Sequence, residues 1–266
     1  MQLSQLYIHP LKSCRGIAVP QAEVLPQGLV HDRVWLLVRP DGSQITARTH
    51  HRLVLMEVQQ LPGGDWQFQA PGAGAFTTRS QLFTRPQRAQ VWKSEFTALG
   101  GDAAADAWFS AWLGEPLQLL WLGDSTRRFK DSEQPLSFAD GAPFLLISEA
   151  SLDDLNQRLA APVSMRQFRP NLVVQGAFPF EEDEWQRLRI GEVEFEVVSR
   201  CTRCIFTTID PHTAQPHAEK QPLATLMGYR RMPEGVCFGV NLVARSSGRV
   251  QLGDAVEVLA SEVAFD

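Results

Sequence analysis

The cysteine pair Cys201 and Cys204 has residue types and a spacing that could support chemistry. The pair encloses Thr202 and Arg203, and a CxxC pattern of this kind binds a metal or forms a redox-active dithiol. Guanidinium groups at Arg200 and Arg203 favour the thiolate form of a nearby cysteine and keep the segment close to water or an anion. The sequence therefore predicts a functional thiolate at this point.

Three other interpretations of the pair stay open on spacing alone. A Cys2His2 zinc site would recruit His212 and His217, which lie downstream. A thioredoxin-like pair would need a helix to begin at the motif, whereas the β-branched run at 205–209 predicts a strand there. Two buried thiols at the start of a strand would have no chemical role.

A second group of candidates is basic. Lys12 and Ser13 follow the first predicted strand, where an ammonium, a hydroxyl and backbone N–H groups can hold a phosphate. Arg33 and Arg48 lie near predicted strands, and Arg169 precedes a proline, which predicts an extended backbone that aims its guanidinium at one point. Each segment alone is also typical of an ordinary basic loop or surface charge.

Composition limits the function classes. The chain has 266 residues, of which 44% are hydrophobic and 21% charged, as in soluble globular proteins. Its net charge of −5 argues against a nucleic-acid platform. No apolar run is long enough for a membrane span, and the N-terminus does not resemble a signal peptide. We therefore expect a soluble cytoplasmic protein with reduced cysteines and with no stable nucleic-acid or membrane binding.

Short strands separated by turns must position these candidates. Strands are predicted at 3–8, 34–38, 53–56, 66–68, 171–175, 193–199, 205–209, 236–244 and 250–259, and helices at 103–113, 151–159 and 222–231. The alternation of a doubly wound sheet is missing, so we predict an α+β, mostly β protein with two associated β-barrel-like units and a few peripheral helices. A polar, basic stretch at 123–143 is the predicted boundary and gives units of 1–122 and 123–266.

Six segments, taken in order, resemble one protein family. The segments are 10–14 (PLKSC), 32–35 (DRVW), 46–48 (TAR), 148–152 (SEASL), 168–171 (FRPN) and 203–211 (RCIFTTIDP). The same order is found in MOSC-domain proteins with a MOSC N-terminal β-barrel domain, which include the bacterial YcbX-like proteins and the mitochondrial amidoxime-reducing component. The resemblance extends from about residue 3 to about residue 259. With the boundary predicted above, it implies that 1–122 are the MOSC N-terminal domain and 123–266 the MOSC domain.

The resemblance implies a molybdenum cofactor of the molybdopterin type between the two units. Cys204 matches the thiolate ligand of molybdenum, whereas Cys201 does not match it and has no implied role. Asp140 matches an acidic position near the metal, so we expect Cys204 and Asp140 to be catalytic. The residues that match positions in or near the cofactor pocket are Lys12, Ser13, Arg33, Arg48, Arg169, Asn171 and Arg203. Gly141 and Ala142 lack the hydroxyls that some relatives carry after this acidic position.

The resemblance also implies an activity. We expect an oxidoreductase that reduces small N-hydroxylated compounds, namely hydroxylamines, amidoximes and N-hydroxylated bases. The sequence contains no iron–sulfur or pyridoxal-phosphate motif, so we expect the electrons to come from a separate ferredoxin- or flavin-reductase-like protein. The alternative is a molybdenum-cofactor carrier or a sulfur-transfer module that uses a Cys204 persulfide. A non-catalytic metal-binding barrel, zinc included, is a third possibility.

Overall fold

The structure is a computed structural model that describes residues 1–130 and 133–262. In these ranges the chain forms twenty-one strands and three α-helices. The strands of the first half are β1 (Gln2–Ile8), β2 (Ile17–Ala18), β3 (Gln21–Leu25), β4 (Gly28–Leu29), β5 (Trp35–Val38), β6 (Glu57–Gln60), β7 (Trp66–Ala70), β8 (Gly74–Thr78), β9 (Arg85–Val91), β10 (Ser94–Gly100) and β11 (Gln118–Trp121). Those of the second half are β12 (Phe129–Lys130), β13 (Gln134–Pro135), β14 (Phe144–Ser148), β15 (Leu172–Gln175), β16 (Trp185–Ile190), β17 (Val193–Thr202), β18 (Arg231–Met232), β19 (Gly235–Ala244), β20 (Gly248–Gln251) and β21 (Val256–Ser261). The helices are α1 (Ala103–Leu113), α2 (Glu149–Gln157) and α3 (Leu223–Tyr229).

The predicted mostly β class is confirmed. The largest sheet has the strand order β2-β1-β15-β14-β19-β17-β16-β21, with β18 paired to β19, and only β14 and β15 run parallel in it. The smaller sheets have the orders β5-β11-β10-β9, β6-β7-β8, β20-β3-β4 and β12-β13. Over the described ranges, none of these sheets closes into a complete barrel. None of the helices in those ranges combines the length and apolarity of a membrane span.

The N-terminal strand β1 belongs to the large sheet of the second half. A register shift between Leu3 and Gln5 lets both Leu3 and Leu6 reach the core, although a regular strand would place them on opposite faces. Strand β3 likewise pairs with β20. The predicted boundary between residues 122 and 123 stays a prediction, and strand pairing crosses it in these two places.

Each half has a buried hydrophobic core. In the first half Trp35 is fully buried and meets Trp66, Phe68 and Phe83 edge to face, with ring centroids 5.9, 5.8 and 4.8 Å away. In the second half the core of the large sheet is apolar, and β14 is buried along its whole length. The loops that leave β1, β5 and β17 on the way to the site are therefore anchored in rigid elements.

Two predicted strands are wrong. Residues 205–209 form a 3-10 helix, Ile205–Thr208, instead of a strand. The hydroxyls of Thr207 and Thr208 donate to the backbone oxygens of Cys204 and Ile205, at 3.0 and 2.8 Å, and such local bonds compete with strand pairing. The run at 53–56 is likewise a 3-10 helix, His51–Leu55, whose apolar side chains are buried by the turn that it makes.

Other element boundaries differ in detail. Helix α1 has its predicted bounds, with Asp102 accepting from two N–H groups of the first turn. Helix α2 begins at Glu149, two residues before the predicted start, and is capped by Ser148. The predicted strand at 250–259 is two strands, because the chain turns at Gly253, where φ is +92°.

Candidate functional site

A single cavity of about 390 Å³ collects all the residues predicted for the site. It lies where loops of the first half face the large sheet. The predicted residues that line it are Lys12, Ser13, Arg33, Arg48, Asp140, Arg169, Asn171, Arg203 and Cys204. They come from positions up to 192 apart in the chain, so the tertiary fold brings them together.

The cavity has an excess of positive charge. Among the described residues that line it, five are cationic and Asp140 is the one carboxylate. Two of the cations, Arg33 and Arg169, lie close together. Burial and the like charge of Arg33 lower the pKa of Arg169 to about 9. Lys12 and Arg33 are paired with Asp140 and Asp32, and the positive charge that remains favours an anionic ligand.

A buried ion pair supports one wall of the cavity. Asp32 is fully buried, forms an ion pair with Arg33 and accepts a 2.7 Å hydrogen bond from the backbone N–H of His9. Burial raises the pKa of Asp32, but Arg33 and His9 outweigh it and bring the pKa to about 2. Arg33 also donates to the Asn171 side-chain oxygen at 3.1 Å and to the Arg169 backbone oxygen at 3.3 Å. Asp32 therefore orients two of the predicted cofactor-binding side chains.

His9 is held neutral behind this pair. Its Nδ1 lies 3.5 Å from an Asp32 oxygen, but burial, with Arg169 and Arg33 nearby, lowers the pKa of His9 from 6.5 to about 3. The unfolded chain takes up a proton on this histidine below about pH 6.5, whereas the folded chain does not until about pH 3. The stability contributed by neutral His9 is thus complete above pH 6.5 and is lost progressively as the pH falls.

We expect His9 to lower the free energy of unfolding by about 2 kcal/mol between pH 8 and pH 5. Urea denaturation at the two pH values measures this loss. His9→Gln removes the titrating group and should weaken the pH dependence by that amount, whereas His212→Gln, at an exposed histidine, should leave it in place. An identical pH dependence in wild type and His9→Gln would contradict the assignment.

Buried cations also fasten the turn that carries Asp140. Lys12 donates to the Phe138 backbone oxygen at 2.8 Å and to Asp140 at 2.5 Å. Arg128 donates to the backbone oxygens of Ser137, Ala139 and Asp140. Four successive carbonyls of the turn at 137–140 are therefore held by two cationic side chains. The sequence shows Arg128 only as part of a basic stretch, and its clamping role depends on the fold.

Asp140 is ionised in this setting. Desolvation by the cavity wall raises the pKa of Asp140, but the charge and hydrogen bond of Lys12, with further help from Trp92, bring it well below its usual range. Trp92 donates from its indole nitrogen to Asp140 at 2.7 Å. A carboxylate held in this way accepts hydrogen bonds at neutral pH.

Several site residues have a left-handed backbone. Ser13, Arg33, Trp92 and Arg169 have φ values of 68, 51, 56 and 59° and all line the cavity. The extended conformation predicted for Arg169 is therefore wrong: it turns so that its guanidinium donates to the Cys14 backbone oxygen. Non-glycine residues in this region are strained and concentrate at functional sites.

The two cysteines of the CxxC motif have different environments. Arg203 donates to the Cys201 sulfur at 3.0 Å and to the Phe168 backbone oxygen at 2.6 Å. Cys204 lies at the start of the 3-10 helix, half-buried on the cavity wall, and its sulfur has no hydrogen-bond partner among the described residues. Both cysteines line the cavity, but the Cys201 sulfur is bonded to Arg203, whereas no described protein group bonds to the Cys204 sulfur.

The remaining cysteines are poor candidates for chemistry. Burial raises the pKa of the Cys14 thiol far above its usual range and that of Cys237 to about 11. In residues 1–130 and 133–262, no group of three or more His, Cys, Asp or Glu side chains is placed to hold a metal ion. A Cys2His2 zinc site with His212 and His217 would need such a group.

Trp92 is the main site residue that the sequence analysis missed. It occupies the turn between β9 and β10, and its ring lies 4.1 Å from the Arg48 guanidinium carbon. The one sequence signal was a tryptophan between two strand-like runs, at a position where a tight hairpin favours glycine or asparagine. That signal does not indicate what the ring faces.

Comparison with known proteins agrees with the resemblance noted in the sequence. Residues 133–257 match the MOSC domain and residues 1–116 match the MOSC N-terminal beta barrel domain. Mitochondrial amidoxime reducing component 2 of Rattus norvegicus is 36% identical, over 96% of this chain and 82% of that protein. Mitochondrial amidoxime-reducing component 1 of Homo sapiens is 34% identical, over 97% and 82%. The molybdenum cofactor sulfurase of Oryza sativa subsp. japonica is 30% identical, over 91% of this chain and 32% of that enzyme.

Fold, cavity and these relatives define a two-part, mostly β protein with a cationic, thiol-containing cavity between its halves. The chain belongs to the family of MOSC-domain proteins with a MOSC N-terminal β-barrel domain.

Proposed function

We propose that this protein is a molybdenum-cofactor-dependent oxidoreductase that reduces N-hydroxylated compounds with electrons from a separate redox protein. The observation that carries the proposal is the Cys204 thiol, which lies on the wall of a cavity lined by five cationic side chains. A soft thiolate suits molybdenum, and the cations suit the phosphate and dithiolene charges of a molybdopterin. The relatives named amidoxime reducing components support the reaction class.

The residues divide into two roles. Cys204 would ligate the metal from its position between β17 and the 3-10 helix Ile205–Thr208. Seven residues would hold the anionic and polar parts of the cofactor: Lys12, Ser13, Arg33, Arg48, Arg169, Asn171 and Arg203. The bound cofactor supplies the two-electron chemistry, while the protein supplies binding, orientation and electrostatics.

The proposed reaction is balanced by two electrons and two protons. The N–O bond of the N-hydroxylated compound breaks, the nitrogen gains one proton in place of the hydroxyl, and the hydroxyl takes the second proton and leaves as water. Asp140, ionised beside Lys12, would accept a hydrogen bond from a substrate N–H group and so orient the substrate. Because its pKa is low, Asp140 is not suited to donate the protons.

The electrons would come from a ferredoxin- or flavin-reductase-like protein. We also propose a cytoplasmic location for this chain, although the names of its relatives describe mitochondrial proteins. Fractionation of the source cells would test the location, and recovery in a membrane or organelle fraction would overturn it.

Elemental analysis and a reduction assay test the proposal together. We expect about one molybdenum per chain in protein produced by cells that make the cofactor, and consumption of a chemical reductant when an amidoxime is added. Zinc in place of molybdenum, or molybdenum-loaded protein that reduces no N-hydroxylated compound, would overturn the proposal.

A sulfur-transfer role is the second candidate, because the chain matches a molybdenum cofactor sulfurase over 91% of its own length. In that case Cys204 would hold an additional sulfur atom as a persulfide. Intact-mass analysis of the protein before and after mild reduction distinguishes the two. A reducible gain of one sulfur atom that is lost in Cys204→Ser would favour transfer.

A further inference from the structure

Trp92 stands at the open side of the cavity. Lys12 and Asn171 in the cavity wall are buried, at 6% and 0% exposure, whereas Trp92 is 40% exposed. A ligand held by the buried side chains would leave Trp92 on the side that faces solvent. A compound that arrives later from solvent therefore meets Trp92.

The indole ring is fixed in place. Its nitrogen donates to Asp140 at 2.7 Å, and the Arg48 guanidinium covers one face at 4.1 Å from the ring centroid. Gln90 donates from its side chain to the Trp92 backbone oxygen at 2.7 Å. Arg48 covers one face and Asp140 contacts one edge, and no aromatic or second cationic side chain among the described residues stacks on the other face of this 40% exposed residue. That face can therefore take a flat partner.

The backbone at Trp92 is strained. Its φ of +56° favours glycine at the first position of a two-residue hairpin turn, and a bulky aromatic residue is an outlier there. Strain that is kept at a cavity rim is typical of a residue with a function. A purely structural hairpin would be more stable with glycine at this position.

We propose that Trp92 is a specificity-determining residue, whose free face stacks on the planar, conjugated part of an N-hydroxylated substrate and makes the enzyme prefer aryl over alkyl substrates. This inference rests on the proposed function and adds a substrate class to it. Asp140, held by the same indole, lies beside the ring where it can accept from the N–H groups of an amidoxime. Trp92 would therefore bind the flat ring of the substrate, and Asp140 would bind the polar nitrogen group next to it.

Two amidoximes with the same reacting group test the proposal. Benzamidoxime carries a phenyl ring and acetamidoxime a methyl group in the same place. We expect wild type to prefer benzamidoxime in kcat/KM, and Trp92→Gly to lower that preference roughly 3- to 10-fold, mainly through KM, as expected for loss of one aromatic pair. Trp92→Phe keeps a ring and should retain most of the preference.

Two further measurements separate recognition from structure. Trp92→Gly relieves the left-handed strain, so its unfolding midpoint should equal or exceed that of Trp92→Ala, which keeps the strain. Its molybdenum content should equal that of wild type. Lys93→Ala, at the exposed second residue of the same turn, is the matched control and should change neither preference nor stability.

The proposal is overturned if Trp92→Gly keeps the full aryl preference, or if it loses molybdenum in proportion to activity, because the ring would then serve the cofactor. If wild type reduces neither amidoxime, the proposed function fails, but the inference is still tested by calorimetric titration of the protein with both compounds. Tighter benzamidoxime binding that is lost in Trp92→Gly supports it. Equal binding of the two compounds overturns it.

Discussion

Cys204→Ser should abolish reduction of N-hydroxylated compounds while the protein stays folded. Removal of an outer-shell partner of a metal typically costs about 10- to 100-fold in activity, and loss of the thiolate ligand itself should exceed that. The Cys204 sulfur has no hydrogen-bond partner among the described residues and the side chain is half-buried, so serine leaves the packing almost unchanged. We expect an unfolding free energy within about 1 kcal/mol of wild type.

Initial rates with an amidoxime, together with molybdenum content, measure the effect. The cations of the cavity should still hold much of the cofactor, so molybdenum content should fall less than activity does. Cys201→Ser is the matched control, since a serine hydroxyl can also accept from Arg203; its activity should fall less than about 10-fold. Normal turnover by Cys204→Ser, or an equal loss in both variants, would refute the assignment of the ligand.

Asp32→Asn should be the most destabilising single change at the site, with a loss of about 3–5 kcal/mol in the free energy of unfolding. Asp32 is fully buried and Arg33 is 13% exposed, so the substitution leaves a buried guanidinium without its counter-charge. The same guanidinium lies near Arg169, whose charge it already disfavours. Arg33 would then lose its orientation toward Asn171, so the cofactor pocket should weaken together with the fold.

Chemical denaturation of wild type and variant provides the comparison. Asp154→Asn is the control, because it also breaks a carboxylate–arginine pair, but one on the surface of α2, where Arg158 is 49% exposed. Such a helical pair contributes about 0.3–0.5 kcal/mol. If Asp32→Asn costs no more than this control, the buried pair is not a structural anchor of the site.

The residues predicted for the site lie together in the structure, whereas some of the predicted local elements around them are wrong. Lys12, Asp140 and Cys204 were named from residue type, motif order and family resemblance, and they line one cavity. The sequence predicts a strand where the structure has the 3-10 helix after Cys204. The reason is that β-branched residues favour strands, and the hydroxyl bonds of two threonines are not visible in a hydropathy pattern.

Two contacts at the site could not be predicted from the sequence. The bond from Trp92 to Asp140 joins a hairpin of one half to a turn that precedes the sheet of the other. The clamp of Arg128 depends on a chain path that brings its guanidinium within reach of three carbonyls. The bond from Trp92 depends on how the two halves pack against each other, which spacing along the chain does not give. The clamp of Arg128 depends on the path of residues 128–140, which no local pattern in the sequence specifies.

The sequence by itself determined the mostly β class, through its periodicity, and the family, through the resemblance of six ordered segments, which also pointed to the residues that line the cavity. The tertiary structure decided which cysteine is free. Cys201 and Cys204 are equivalent in the CxxC pattern, but the arginine between them turns its guanidinium toward Cys201 and Phe168. Arg203 lies between the end of β17 and the 3-10 helix that follows. With its guanidinium turned away, the Cys204 sulfur stays open to the cavity.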